Sequence, residues 1–148
     1  MDSIFYAVLI LAIASLFVLF YLFIRSKGRK IVKKLRGLYR QDLVLVTGCG
    51  MITSLSREPG VLGLLRDRVI YESTITGKSG EIPFQDVVGI VLEDTRHTRH
   101  RRARKYRNAK VLEINTTKGE ISLFAIPLSK ASMWEKALHD FIKREEMG

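Results

Sequence analysis

Gly60-Val61-Leu62-Gly63-Leu64-Leu65-Arg66-Asp67-Arg68-Val69-Ile70-Tyr71-Glu72-Ser73 contains two short apolar runs on either side of three charged residues. Each run has the length and the apolar, partly β-branched character of a strand. The polar break between them is too short for a helix, so the segment reads as an antiparallel hairpin. The same texture extends outward in both directions. Upstream, Leu43-Val44-Leu45-Val46-Thr47 is a strand, Gly48 and Gly50 mark a turn or bulge, and Gly50-Met51-Ile52-Thr53-Ser54 opens the next strand. Downstream, Thr76 to Gly80 is a turn, and Glu81-Ile82-Pro83-Phe84 is a short strand that Pro83 assigns to an edge. Val87-Val88-Gly89-Ile90-Val91-Leu92 is the most apolar run and is expected at the centre of the sheet. Lys110 to Thr116 and Ile121 to Ile126 flank the turn Thr117-Lys118-Gly119-Glu120 and form another hairpin.

The period then changes. Met133, Trp134, Ala137, Leu138, Phe141 and Ile142 recur at three and four, which is one face of a helix. Ser132 with Glu135 suits a capping box, with Ser129 as a rival start. Lys143 and Arg144 near its end suit the helix dipole. Trp134, Leu138 and Phe141 are the expected core residues of this helix, which covers the apolar face of the sheet. The fold class is therefore α+β, with six or seven antiparallel strands closed by one C-terminal helix. Without a strand–helix–strand rhythm, a Rossmann or other doubly wound nucleotide fold is excluded.

Gly63-Leu64-Leu65-Arg66-Asp67-Arg68-Val69-Ile70-Tyr71 and Glu81-Ile82-Pro83-Phe84-Gln85-Asp86-Val87-Val88-Gly89-Ile90 resemble segments of pleckstrin-homology-like (PH-like) and GRAM-type domains. The Val111 to Phe124 hairpin and the helix carrying Trp134, Ala137 and Leu138 complete the pattern, which spans about Leu43 to Ile142. The resemblance implies a PH-like split barrel over residues 42–148. Two departures stand out. Leu64 or Leu65 replaces a threonine-like hydroxyl residue before the Arg-containing turn, and the connection from Thr95 to Asn108 is unusually long and basic. The shared motifs encode turns and core positions, so they imply architecture rather than a phosphoinositide site.

Before this domain, Ile4 to Ile24 is a run of 21 residues without Asp, Glu, Lys or Arg. As a helix it would be about 31 Å long, close to the roughly 30 Å hydrocarbon thickness of a bilayer. The start Met1-Asp2-Ser3 has no positive charge and no Ala-x-Ala site follows the run, so an uncleaved anchor over residues 1–24 is expected rather than a signal peptide. Tyr6 and Tyr21 lie near the two ends of the run, where aromatic rings favour the membrane interface. Arg25, Lys27, Arg29, Lys30, Lys33, Lys34, Arg36 and Arg40 form a basic stem over residues 25–41, whereas the other flank offers only Asp2 and the α-amine. This asymmetry predicts a single-pass membrane protein with its C-terminal domain in the cytoplasm. Ile31, Leu35 and Leu38 recur at four and three within the stem. Two readings stay open: an apolar stripe lying on the membrane surface, or a charged flank whose apolar residues touch the domain.

The net charge of +10 is held in two blocks. Of 25 Lys and Arg residues, eight lie in the stem and eight between Arg96 and Lys110, and neither stretch contains an acid. The second block presents Arg96, Arg99, Arg101, Arg102, Arg104, Lys105 and Arg107 as the candidate binding set. Guanidinium forks suit phosphate and carboxylate oxygens. Anionic lipid headgroups rank first as partner because the domain is tethered beside its own bilayer. An acidic protein surface within a membrane complex ranks second. Nucleic acid is disfavoured, with only Tyr106 for stacking and no recognition motif. The bland alternative is a mobile, charged hairpin that keeps the domain soluble.

Chemistry is poorly provided for. His97 and His100 sit among cations without a neighbouring acid to orient them, since Glu93 and Asp94 read as flanking a strand end. The same cations would repel a metal ion, so no metal is expected there. His139 belongs to the edge of the helix face. Cys49 allows no intrachain disulfide, being the one cysteine, and has no activating partner in sequence. Gly48-Cys49-Gly50 lacks the following helix of a phosphate-gripping loop. No catalytic residue and no cofactor is assigned. The expectation is a non-enzymatic, membrane-anchored adaptor that docks on anionic headgroups or an acidic protein surface; the alternative is an accessory or assembly subunit of a larger membrane complex.

Overall fold

The computed structural model describes residues 2–54 and 57–148. The α-amine of Met1, counted above in the charge asymmetry, lies outside the described residues. Helix α1 runs unbroken from Asp2 to Leu38, about 55 Å at 1.5 Å per residue. Its N-terminal half exposes nearly every large apolar side chain from Ile4 to Phe23, and it is long and apolar enough to cross a membrane. One exposed apolar surface of this size calls for a lipid or protein environment.

Past the apolar half, α1 becomes part of the domain. Ile31 and Leu35, one turn apart, are buried and pack with Val61, Leu65 and Ile70. Of the two readings of the stem, the contact with the domain is the one observed. A membrane-facing stripe is not formed, because two of its three residues are inside the protein and Leu38 alone is exposed.

Among the described residues, seven strands follow: β1 (Leu43–Ile52), β2 (Arg57–Leu65), β3 (Arg68–Ser73), β4 (Ser79–Pro83), β5 (Val87–Asp94), β6 (Ala109–Thr116) and β7 (Ile121–Pro127). Helix α2 (Leu128–Met147) ends the chain. They form one antiparallel sheet in the order β4-β3-β2-β1-β7-β6-β5. The hairpin read from Gly60 to Ser73 is β2–β3, with Gly63 opposite Ile70 and Leu64 opposite Val69. Pro83 does lie in an edge strand, β4. The turn before β7 places Gly119 at φ 78°, a conformation glycine adopts without strain.

Three expectations are corrected. First, Gly48 and Gly50 do not turn the chain; β1 passes straight through both. Gly50 is there because the Tyr106 ring lies over it: a Cβ would meet that ring at 2.7 Å. Second, β5 is an edge strand, not a central one. Among the described residues its one partner is β6, because β4, the strand before it, pairs with β3 at the opposite edge. Val88 and Val91 are consequently 66% and 44% exposed, while Ile90 and Leu92 pack inward. Third, the capping box does not form. Helix α2 starts at Leu128 behind Pro127, with no side-chain cap, and Ser132 sits inside it. The Leu128 N–H donates instead to the Asn108 carbonyl at 3.0 Å.

The inner face of the sheet carries the main core. Leu62, Leu64, Leu112, Ile114, Phe124 and Ile126 pack with Trp134 and Leu138 of α2. Phe141 is half-buried, its ring centroid 5.4 Å from that of Phe84. The outer face is covered in two pieces. Helix α1 lies over β1, β2 and β3, and the insert between β5 and β6 covers Ile52, Val111 and Ala125 through Ala103 and Tyr106.

Candidate functional site

The insert, residues 95–108, is built onto the sheet rather than hanging from it. Thr95, Thr98 and Ala103 are buried, and Ala103–Lys105 form a short 3-10 turn. The free charged hairpin entertained from sequence is therefore replaced by an ordered cover. Tyr106 supplies its weight, lying over Gly50 with the Arg57 guanidinium 4.9 Å from its ring centroid. Burial pushes the Tyr106 phenol up.

A buried acid holds the insert down. Glu113, on the outer face of β6, is 3% exposed. Its Oε1 accepts from Arg99 at 2.6 Å and from Asn115 Nδ2 at 2.9 Å, and its Oε2 lies 2.7 Å from His100 Nε2. Burial pushes this carboxyl up, but the hydrogen bonds from Asn115, His100 and Arg99 together outweigh it and hold it below its usual range. The acid that sequence reasoning could not find for His100 is thus present, thirteen residues away, brought there by the β5–β6 connection. Alternation along β6 could have flagged it, since Glu113 falls in phase with Val111 on a face that must be covered.

The seven candidate cations of the insert divide into two groups. Four are committed within the protein. Arg96 pairs with Asp94 at 3.3 Å, and the Arg96 backbone N–H, then its side chain, hold the Asp94 carboxyl below its usual range. Arg99 pairs with Glu113. Arg102 donates to the Thr53 carbonyl at 2.9 Å, and Arg104 to the Thr98 carbonyl at 2.9 Å. The side chains of Arg101, Lys105 and Arg107 are exposed and, among the described residues, make no hydrogen bond or ion pair. They are the cations free for a partner.

The stem cations are also divided. Lys34 pairs with Glu72 at 3.4 Å, and Lys27 lies 4.8 Å from the Phe23 ring centroid. Lys30 and Arg40 are exposed. Arg25, Arg29, Lys33 and Arg36 line a cleft between α1 and the β1–β2 edge of its contact. The first turns of the stem and one insert cation, Arg102, meet the same end of the sheet. Thr74, just after β3, faces Gly28 of α1 and bonds the Pro59 carbonyl at 2.9 Å. The Thr53 carbonyl that receives Arg102 closes β1 at that same end, the end from which α1 leaves towards its apolar half.

Other candidates have no such geometry. Cys49 is buried on the inner face and its thiol is pushed up to about 12 by burial, so it is inert near neutral pH. His139 is exposed. Among the described residues, no group of three His, Cys, Asp or Glu side chains is arranged to hold a metal.

No protein-family model matches the chain, and no curated protein does. Among solved structures, the crystal structure of the C-terminal domain of an unknown protein from Leishmania infantum is similar, with a TM-score of 0.55. It is 14% identical, and the match covers 74% of this chain and 93% of that one. At this identity the likeness is one of fold: the architecture described above recurs in a domain from a solved structure.

Proposed function

We propose that this protein is a non-enzymatic, membrane-anchored adaptor whose cytoplasmic PH-like domain docks on the anionic headgroups of its own bilayer. The observation that carries the reading is the unbroken helix α1. Its apolar half suits a bilayer, and its basic half is clamped into the sheet by Ile31 and Leu35. A stem docked on the sheet keeps the domain, with the exposed Arg101, Lys105 and Arg107, close to the bilayer. Each cation near an anionic surface contributes about 1 kcal/mol. The PH-like assignment is supported by the seam between β1 and β7, which pair over only Gly50–Ile52 and Leu123–Ala125. A sheet hinged at so short a seam, with α2 against its inner face, suits two halves of a split barrel.

A second reading is an accessory or assembly subunit of a membrane complex. The exposed Val88 and Val91 on the free edge β5 favour it, since an unpaired apolar edge is a docking strand. One experiment separates the two. The full-length protein is purified from its membrane in mild detergent at low and high salt, and both proteins and lipids are identified by mass spectrometry. The adaptor reading expects anionic phospholipid to be enriched at low salt, and the enrichment to fall at high salt and when Arg101, Lys105 and Arg107 are changed to Glu. A stoichiometric protein partner that survives high salt and the triple change refutes it in favour of the subunit reading.

A further inference from the structure

Between the stem of α1 and the outer face of β1 and β2 lies an open cleft of about 580 Å³. That lies within the roughly 300–1,000 Å³ of small-molecule sites. Arg25, Arg29, Lys33 and Arg36 line its helical side, and Gly48 and Val61 form part of its floor. The four cations recur at intervals of four, four and three, so they share one face of the helix. Like charges at these spacings repel unless an anion lies among them. Among the described residues, none of the four has an acidic partner, and no acidic side chain lines the cleft. The cleft begins at Ile24, where the apolar half of α1 ends.

The floor is open for a reason. On the outer face of β1, Val46 packs with the α1 cluster and Gly50 lies under Tyr106. Gly48 falls between these two covers and is exposed. A Cβ there would meet nothing nearer than the Gly60 carbonyl, at 3.9 Å. A Cβ at this position enters open space, so a larger side chain there would occupy part of the cleft.

We infer that this cleft holds one anionic phospholipid, with its phosphate among Arg25, Arg29 and Lys33 and its acyl chains continuing along the apolar half of α1. The inference rests on the membrane-anchored reading above and goes beyond it, because it assigns a built site for a single lipid rather than attraction to a charged surface. A soluble anion would use the cations but not the continuity with the apolar helix; a neutral lipid would use the helix but not the cations. Basic pockets at the membrane-facing end of transmembrane helices suit headgroups in this way.

The test uses the full-length chain in nanodiscs of phosphatidylcholine and phosphatidylglycerol, released into native mass spectrometry. The expected result is a single phosphatidylglycerol retained by the wild-type chain, with phosphatidylcholine not retained and added glycerol phosphate failing to displace it. Gly48→Leu, which removes no charge, and Arg29→Gln, at an exposed side chain outside the packed core, should each lower retention about tenfold. The triple Glu change at Arg101, Lys105 and Arg107 should leave the retained lipid in place while abolishing the salt-sensitive enrichment. Retention unchanged in both cleft variants overturns the inference, as does equal retention of phosphatidylcholine or displacement by glycerol phosphate. Enrichment that persists without a retained lipid removes the cleft site and leaves the adaptor reading standing. If Gly48→Leu alone unfolds, Arg29→Gln decides.

Discussion

Replacing Glu113 with glutamine removes one charge from beneath the insert and almost no volume. The carboxylate has three partners: Arg99, His100 and Asn115. A hydrogen bond to a charged group contributes about 1.5–3 kcal/mol. Arg99 is 68% exposed and rehydrates freely, so its share is about 0.5 kcal/mol. His100 is 20% exposed and cannot do the same, and Asn115 and His100 bond different carboxylate oxygens, only one of which an amide keeps as an acceptor. The loss should therefore be about 2–3 kcal/mol, which for a chain of this size lowers the unfolding midpoint by about 10 °C. Thermal unfolding of the full-length protein in detergent reads the midpoint, and hydrogen exchange reads the amides of residues 95–108. The pH dependence has a definite sign. Since folding lowers the Glu113 pKa, its stabilisation is complete above the ordinary value of 4.5 and is lost as pH falls through the lowered value. The wild type should lose protection of the insert across that acidic range, and Glu113→Gln should show no such step. A variant that keeps the wild-type midpoint and exchange pattern would refute the claim that this carboxylate pins the insert.

Leu35→Ala empties a buried site between α1 and β2 and should cost about 2–5 kcal/mol; chemical denaturation checks it, and a change within about 0.5 kcal/mol, the range of a surface substitution, would mean that the stem is not docked. Trp134→Ala should cost about 3–5 kcal/mol. Trp134→Phe should cost less than half as much, because it also removes an indole N–H that is buried without a partner among the described residues. Equal losses in the two variants would contradict this. Cys49 should resist maleimide in the folded protein at mildly alkaline pH and react only on unfolding, given its burial and a thiol pushed up to about 12. Labelling as fast as that of free glutathione would place the thiol at the surface instead.

Much of the architecture was legible in the chain because its causes are local. Alternation, turn residues and the change to a helical period located the strands and α2, and a long run without charges located the apolar half of α1. The errors arose where a distant residue decided the outcome. Gly48 and Gly50 looked like turn formers, yet Gly50 answers to Tyr106, 56 residues further on. The apolar run of β5 suggested a central strand, but position in a sheet depends on which strands close around it. For the site, the seven insert cations looked equivalent because composition reports charge and not its partners. Folding committed four of them to Asp94, Glu113 and two backbone carbonyls, leaving Arg101, Lys105 and Arg107.

The sequence by itself determined an apolar helix, two basic blocks and an α+β domain, since hydropathy, charge and period are properties of neighbouring residues. Only the tertiary structure decided that the stem docks on the sheet, that Glu113 lies beneath His100, and that four stem cations line one side of an open cleft. Those three facts depend on contacts between segments far apart in the chain, and such contacts exist only once the sheet has set which faces are left to be covered.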